Sequence, residues 1–289
     1  MAKYDVILEE IDKGINDFVK DLPAVQRRTY RKLLEIVSEL EVKSGKIKTN
    51  LENIKLLSKI RKEMEDIILS DKYLKDVKGF TDSFSKVETL QNNYYAELSD
   101  KYTPKKVYAE LKKVNINSTI DLLTENGLGS EYTDGITKIL SDNIKSSGNY
   151  ADMVESMREY IIGVDGKDGS LVKYAKQIAT DSINQYSANL TKAVSDDLGL
   201  NWFQYIGSNK DTTRPFCEAM TSKRYFHRSE IPQIIEGNID GKKVSLAGQD
   251  ENTNENNFQV LRGGYNCRHQ IYPVADIIVP QNLRDQFQD

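Results

Sequence analysis

The side chains best suited to bind a metal ion lie together in the last quarter of this 289-residue chain. Its two cysteines are Cys217 and Cys267, and its two histidines are His227 and His269. A Cys and a His two residues apart on an extended segment project to the same side, so Cys267 and His269 can approach one ion. Zinc accepts two Cys and two His in a closed, tetrahedral structural site. The four residues are therefore predicted to be zinc ligands.

Other arrangements of these residues stay open at this stage. The spacings C-x9-H and C-x-H differ from the commonest zinc-finger spacings. The cysteines could instead pack as small apolar side chains or form a disulfide, and the histidines could be surface or capping residues. Cys217 with either histidine could act as a thiol nucleophile and its base, but no Gly-rich turn exposes the thiol. A metal nuclease would need one histidine as a base, which leaves too few ligands.

The first half of the chain carries the apolar periodicity of long helices. One amphipathic stripe recurs at spacings of three and four through Val25, Leu33, Ile36, Val37 and Leu40. We expect this helix to begin near Pro23, with Asp21 close to its N-cap, and to be broken by Gly45. Further stripes cover 51–68 and 83–112, with a break at Thr103-Pro104. Residues 1–113 are predicted to form a long-helix bundle or hairpin arm.

The sequence pattern changes after residue 199, from helical periodicity to short strands and turns. Residues 114–199 are predicted to be a helical linker region that ends in a helix over 170–198, with Gly199 as its C-cap. Beyond it, 201–207 is an aromatic strand, a short helix begins near Pro215, and Asp240-Gly241 suits a type I′ hairpin turn. Residues 271–279 could form a strand, which Pro273 restricts to an edge or a bulge. The predicted fold is mainly α, with a small α+β module over 200–289.

The composition restricts the class of protein. The net charge is −4, from 40 Lys/Arg and 44 Asp/Glu, without the concentrated basic patch of a general nucleic-acid binder. No stretch has the ~18 apolar residues of a transmembrane helix, and the charged start MAKYDVILEEIDKG does not resemble a signal peptide. Because residues 208–257 are poor in aliphatic side chains, a metal cross-link would stabilise the module.

Several parts of the last third occur in a recognisable order. These parts are a helix over Ala175–Asn184, an aromatic strand over Trp202–Gly207, D-x-T-R-x-x-C over Asp211–Cys217, a glycine turn leading to C-R-H over Gly263–His269, and Pro273-Val274. Together they resemble the phage head morphogenesis family, the MuF-like minor head proteins. The resemblance covers about residues 170–275.

The resemblance implies a minor structural protein of the phage head, present in the virion and in the host cytoplasm during assembly. Its implied partners are the portal protein, the major capsid or scaffolding protein and the packaged DNA. The motif residues that it singles out are Trp202, Asp211, Arg214, Gly264, Arg268 and Pro273. We expect Trp202 to anchor the core of the module, and Arg214 and Arg268 to cap carbonyls or pair with a carboxylate such as Asp211. Contact of these arginines with the portal or with DNA phosphate is the alternative.

This chain departs from the family pattern at two positions. Many members have a second Cys where this chain has His269, and some have two Cys in the motif where this chain has only Cys217. A Cys-to-His change keeps a metal-ligand set but removes a disulfide partner, which favours zinc. The alternative function is an effector enzyme delivered with the genome, a thiol hydrolase or a metal nuclease. That enzyme would require Cys217 to be exposed in a cleft beside a histidine.

Overall fold

The computed structural model describes residues 3–68, 70–264 and 267–287. It is mainly helical, with a few short strands that are concentrated towards the C-terminal end, as the sequence predicts. The helices are α1 Lys3–Val37, α2 Leu51–Ile68, α3 Asp71–Leu98, α4 Lys106–Leu123, α5 Ser130–Lys145, α6 Tyr150–Ile162, α7 Ser170–Asp197, α8 Pro215–Lys223, α9 Ile231–Ile235, α10 Phe258–Leu261 and α11 Gln281–Arg284. The strands are β1 Val42–Lys43, β2 Lys46–Ile47, β3 Trp202–Ile206, β4 Tyr225–His227, β5 Asn238–Ile239, β6 Lys242–Lys243 and β7 Gln270–Pro273.

The chain divides into two compact units, each built from separated segments. One unit comprises Met1–Ile11, Phe84–Asn115 and Thr180–Asp289, and the other comprises Asp12–Ser83 and Ile116–Ala179. The sequence-based division into 1–113, 114–199 and 200–289 follows chain order and therefore differs from this one. The difference arises because α1, α3, α4 and α7 each supply residues to both units.

The unit containing Asp12–Ser83 packs around aromatic side chains. The ring of Phe18 contacts those of Tyr73 and Phe80, with ring centroids 6.4 and 5.2 Å away. The hydroxyl of Tyr73 donates to the carbonyl of Leu123 at 2.8 Å. This bond joins α3 to the end of α4 inside the core.

Pro23 lies inside α1 and does not mark the start of a helix, so this prediction is wrong. A proline in a helix interior removes one backbone hydrogen bond and crowds the preceding turn. On both sides of Pro23 the apolar stripe continues without interruption through the buried residues Ile15, Phe18, Leu22 and Val25. Burial of this stripe holds the helix together across the proline.

The unit containing Thr180–Asp289 joins helices to a three-stranded antiparallel sheet. The sheet order is β4-β3-β7, so β7 is an edge strand, which accommodates Pro273 as predicted. The side-chain amide of Gln91 on α3 donates to the Ser187 carbonyl at 3.0 Å, and the Ser187 hydroxyl lies 3.1 Å from that of Tyr272 on β7. A buried polar chain therefore runs from α3 through α7 to the sheet.

The two faces of the sheet carry different cores. Phe203 and Tyr205 of β3 belong to one buried cluster, which includes Cys217 and Cys267, whereas Trp202 belongs to a second cluster with Val274. This separation follows from the two-residue period of a strand. The first cluster buries more apolar side chains than the few aliphatic residues of this part of the sequence indicate. It contains the fully buried phenylalanines Phe203, Phe216, Phe226 and Phe258.

The predicted turns are present. Asp240 and Gly241 connect β5 to β6 with φ angles of 50° and 73°, which fit the predicted type I′ hairpin. Gly199 follows α7 with a φ of 63°, and α8 begins at Pro215 with Arg214 as its N-cap. The chain is not helical between α3 and α4, which is where the sequence predicts a break at Thr103-Pro104. Across the described part of the chain, no helix is both long and apolar enough to span a membrane.

Candidate metal centre

Three of the four predicted ligands meet at one buried point. Cys217 is the third residue of α8, and Cys267 and His269 lie on the segment that leads into β7. Their exposed fractions are 2%, 5% and 6%. The ligand atoms of the three side chains all lie within 4.8 Å of one another. Among the described residues, they are the Cys, His and acidic side chains that come close enough to share a metal ion.

The distances between the donor atoms match those of a tetrahedral site. The Sγ atoms of Cys217 and Cys267 are 4.0 Å apart, and the Sγ of Cys267 is 3.8 Å from Nδ1 of His269. Around zinc, bonds of about 2.3 Å to sulfur and about 2.0 Å to nitrogen place neighbouring ligand atoms roughly 3.5–3.8 Å apart. Small shifts of side chains would bring these atoms to ligand distance. Both cysteines are free thiols in the structure.

Two glycines allow the backbone to approach the cluster. A Cβ atom on Gly263 would lie 2.3 Å from the Cys217 sulfur and 3.0 Å from the Cys267 sulfur. A Cβ atom on Gly207 would lie 2.5 Å from Cδ2 of the His269 ring. Any side chain at position 263 would therefore occupy the space between the two sulfurs, and one at position 207 would displace the imidazole.

The imidazole of His269 is held from two directions. Its ring stacks on that of Tyr205, with centroids 5.3 Å apart and planes 24° apart. Its Nε2 lies 3.3 Å from Oδ1 of Asn209. If Nε2 carries the proton and donates it to this oxygen, Nδ1 is left with its lone pair facing Cys267. Outer hydrogen bonds of this kind select the metal-binding tautomer of a histidine.

The two thiols affect each other's ionisation. A hydrogen bond from Cys217 lowers the pKa of Cys267 well below its usual range, and the charge of Arg262 adds to this effect. The same hydrogen bond, together with burial, raises the pKa of Cys217. The pair therefore favours one thiolate, at Cys267, which accepts a hydrogen bond from the Cys217 thiol. A thiolate is the form of cysteine that binds metal ions.

His227 does not join the cluster, so the predicted four-residue ligand set is corrected to three. It pairs with Trp202 across β3 and β4, which places its side chain on the sheet face opposite Phe203 and Tyr205. There its ring lies 4.7 Å from that of Phe287. Its Nδ1 accepts a hydrogen bond from the Ser229 backbone, and it caps the short turn that follows β4. This is the capping role that the sequence analysis considered.

Most of the remaining motif residues pack in the module or bond to its backbone. Trp202 is buried, as predicted. Nη1 of Arg214 donates to the carbonyl of Gly263 at 2.8 Å, which confirms its carbonyl-capping role and ties the start of α8 to the glycine turn. Gly264 has a φ of +81°, and a Cβ there would lie 2.2 Å from the Gly248 carbonyl oxygen. Pro273 accepts a hydrogen bond from the Tyr94 hydroxyl through its carbonyl.

Asp211 and Arg268 are both exposed to solvent. Thus the two side chains stand apart from the buried centre of the module. Residues 265 and 266, which belong to the predicted glycine turn, lie outside the described residues.

The helix of the resemblance is connected to the cluster through Asn184 on α7. Asn184 accepts a hydrogen bond from the Gln270 side chain through Oδ1, and its carbonyl accepts one from Nη1 of the buried Arg262 at 3.5 Å. A cavity of about 180 Å³ lies beside this network and reaches Cys267. Its lining also includes Asp181, Gln185, Gln249, Asp250 and Arg262.

Sequence reasoning did not identify Tyr205, Asn209 or Gly263 as part of the site. The alternation of β3 indicates that Tyr205 and Phe203 share a face. The sequence does not show that this face packs against Cys217. Gly263 stands in the motif that was singled out, although only the structure shows what its missing side chain makes room for.

Comparison with known proteins adds no relative. Protein-family models, curated proteins and solved structures were searched, and none matched this chain.

Proposed function

We propose that this chain is a minor structural protein of a phage head, associated with the portal vertex, whose C-terminal module is cross-linked by zinc. The observation that carries the proposal is the meeting of Cys217 with Cys267 and His269. These residues come from two motif segments about fifty positions apart, yet their sulfur atoms are 4.0 Å apart in the core.

The arrangement of the other motif segments supports the resemblance on which the proposal rests. The strand over Trp202–Gly207 pairs with the strand that ends at Pro273. The segment over Asp211–Cys217 is bonded to the glycine turn through Arg214 and Gly263. Segments that are scattered in sequence thus belong to one small fold, as expected if the pattern encodes a module and not several unrelated sites.

The residues present suit zinc. Two sulfurs and one imidazole nitrogen form a donor set typical of structural zinc, and Gly263 leaves the space between the sulfurs free. A zinc ion there would connect α8 to the segment before β7. Its role would be to hold these two elements together, in a module that also has its own aromatic core.

Burial of the thiols favours a structural role over an effector enzyme. A thiol hydrolase using Cys217 needs this sulfur exposed in a cleft, with a histidine as its base. Cys217 is 2% exposed, and the side chain of His227 lies on the other face of the sheet. His269 is close, but its ring is enclosed by Tyr205 and Asn209.

The helices of the chain offer a surface for the proposed partners. On α4, Val107 and Val114 lie two turns apart on one face and are 60% and 64% exposed. Exposed apolar side chains that share a helix face are a common feature of protein-binding surfaces. We assign docking on the portal, or on the capsid or scaffolding protein, to the helical part of the chain.

Quantitative mass spectrometry of purified heads tests this function. Particles should be prepared from the phage that encodes the chain, and their proteins cross-linked before digestion. We expect the chain in a few copies per head, with cross-links to the portal protein. Absence of the chain from heads, together with normal head yield after deletion of its gene, would refute the assignment.

A further inference from the structure

The hydroxyl group of Tyr205 lies beside both sulfurs of the cluster. Its oxygen is 3.4 Å from the Sγ of Cys217 and 3.8 Å from the Sγ of Cys267. The side chain is 1% exposed. Within the described part of the chain, the two sulfurs are the hydrogen-bond partners of this hydroxyl.

The Tyr205 oxygen and the two sulfurs therefore lie close together, beside the imidazole of His269. The distances from oxygen to sulfur, 3.4 and 3.8 Å, are similar to the 4.0 Å between the sulfurs and the 3.8 Å from sulfur to His269 Nδ1. All are close to the roughly 3.5–3.8 Å edges of a tetrahedron around zinc. A Cβ atom on Gly263 would lie 3.4 Å from the same hydroxyl, so the space beside this glycine borders the oxygen and both sulfurs.

The fold itself brings Tyr205 to this position. Alternation along β3 directs Phe203 and Tyr205 to the face that bears the cysteines. Tyr205 pairs with Ile271, two residues beyond His269, and its ring stacks on the imidazole. Tyr205 and His269 are thus positioned together by the same pair of strands.

No described carboxylate competes for the fourth position, since the cluster of Cys, His and acidic groups contains only the three residues named above. A cavity of about 180 Å³ reaches Cys267 and offers a route by which a fourth ligand from solvent could enter. A ligand supplied by Tyr205 would close the site, as is usual for structural zinc.

We propose that the phenolic oxygen of Tyr205 is the fourth zinc ligand, giving a closed Cys₂-His-Tyr site. This inference rests on the proposed zinc cross-link. The Tyr205 ligand adds one measurable property to the zinc cross-link: the zinc site has no position left for an external ligand.

The test compares the wild-type 289-residue chain with its Tyr205→Phe variant and, as a matched control, with Tyr272→Phe. Tyr272 is equally buried in the same sheet, and its hydroxyl bonds to Ser187, away from the sulfurs. Zinc affinity is measured by competition with a chelator. Cobalt(II) then replaces zinc, and its visible spectrum is recorded with and without azide.

We expect Tyr205→Phe to bind zinc at least about tenfold more weakly, because loss of even an outer partner of a metal site costs 10- to 100-fold. Its cobalt spectrum should change when azide is added, whereas those of the wild type and Tyr272→Phe should not. Equal affinity and spectra for all three proteins would overturn the Tyr205 assignment and leave the zinc cross-link standing. Absence of metal binding by the wild type would overturn both.

A second measurement decides the question if Tyr205→Phe does not fold. The wild type is labelled with ¹³C at the Cζ atom of its 16 tyrosines, and NMR spectra are recorded without and with zinc. Ligation by the phenolic oxygen should shift one Cζ resonance strongly. If no resonance shifts in this way while zinc binds, Tyr205 is not a ligand.

Discussion

Trp202 and His227 face each other across β3 and β4, with ring centroids 5.1 Å apart, on the side of the sheet that is turned away from Tyr205. This relationship separates the two histidines of the chain. His269 belongs to the sulfur cluster, and His227 belongs to an aromatic group with Trp202 and Phe287. The two should therefore respond differently to substitution.

The first prediction concerns this separation. His227→Ala should retain wild-type zinc content but lose about 1–2 kcal/mol of stability, because a turn cap and aromatic packing are removed. His269→Ala should lose zinc. Denaturant unfolding and metal analysis of both variants check this, and loss of zinc from His227→Ala would return His227 to the ligand set.

The second prediction concerns Gly263. Gly263→Ala should reduce both stability, by about 1–3 kcal/mol, and zinc affinity, because its Cβ would lie 2.3 Å from the Cys217 sulfur. Gly79→Ala is the matched control. Gly79 lies within α3 with nothing near its added Cβ, so alanine should stabilise the helix by about 0.5–1 kcal/mol.

Thermal unfolding and chelator competition on both glycine variants provide the measurement. The proposed packing of Gly263 against the sulfurs is contradicted if Gly263→Ala matches the wild type in both properties.

The third prediction concerns pH. Burial lowers the pKa of His227 below the usual histidine value of 6.5, although Glu230 opposes the shift. The unfolded chain therefore binds the proton more readily than the folded one. The contribution of neutral His227 to the free energy of unfolding should be complete above about pH 6.5. It should be lost as the pH falls through the folded-state pKa of this histidine.

The difference in stability between the wild type and His227→Asn isolates this contribution. Asn can still cap the turn but does not titrate. We measure this difference by denaturant unfolding from pH 7.5 to 5. We expect the wild type to lose stability relative to His227→Asn at the acidic end. A difference that is constant with pH would contradict the lowered pKa.

Much of the fold follows from local sequence patterns, and the parts that do not are set by distant contacts. The helix that ends before Gly199, the aromatic strand β3 and the Asp240-Gly241 hairpin follow from periodicity and turn chemistry. Pro23 could not be placed by local rules, since the packing of the stripe on both sides of it overrides the local preference.

The residue types of the candidate site could be predicted from the sequence, but not which residues belong to it. The clustering of Cys217, Cys267 and His269 could be anticipated because few other residues bind soft metals. The exclusion of His227 depends on the register between β3 and β4, and the approach of the Tyr205 hydroxyl to the sulfurs depends on which face of β3 covers α8. Neither is contained in residue spacing.

The fourth prediction concerns the two thiols. Their sulfurs are 4.0 Å apart, and a disulfide requires about 2.05 Å. In zinc-free protein, oxidised glutathione should form the Cys217–Cys267 disulfide by thiol–disulfide exchange and release two reduced glutathione molecules. Zinc-loaded protein should resist, because its thiolates are coordinated. Mass spectrometry of alkylated digests, with Cys267→Ser as the control, gives the result; equal rates with and without zinc would argue against coordination.

Metal content shows most directly whether zinc binds to the cluster of Cys217, Cys267 and His269. The full chain is purified under reducing conditions with zinc present, and zinc per chain is measured by mass spectrometry beside a Cys267→Ser/His269→Ala double variant. We expect about one zinc per chain in the wild type, with none in the variant and a lower melting temperature for it. A wild type without zinc, as stable as the variant, would contradict a zinc cross-link at this cluster.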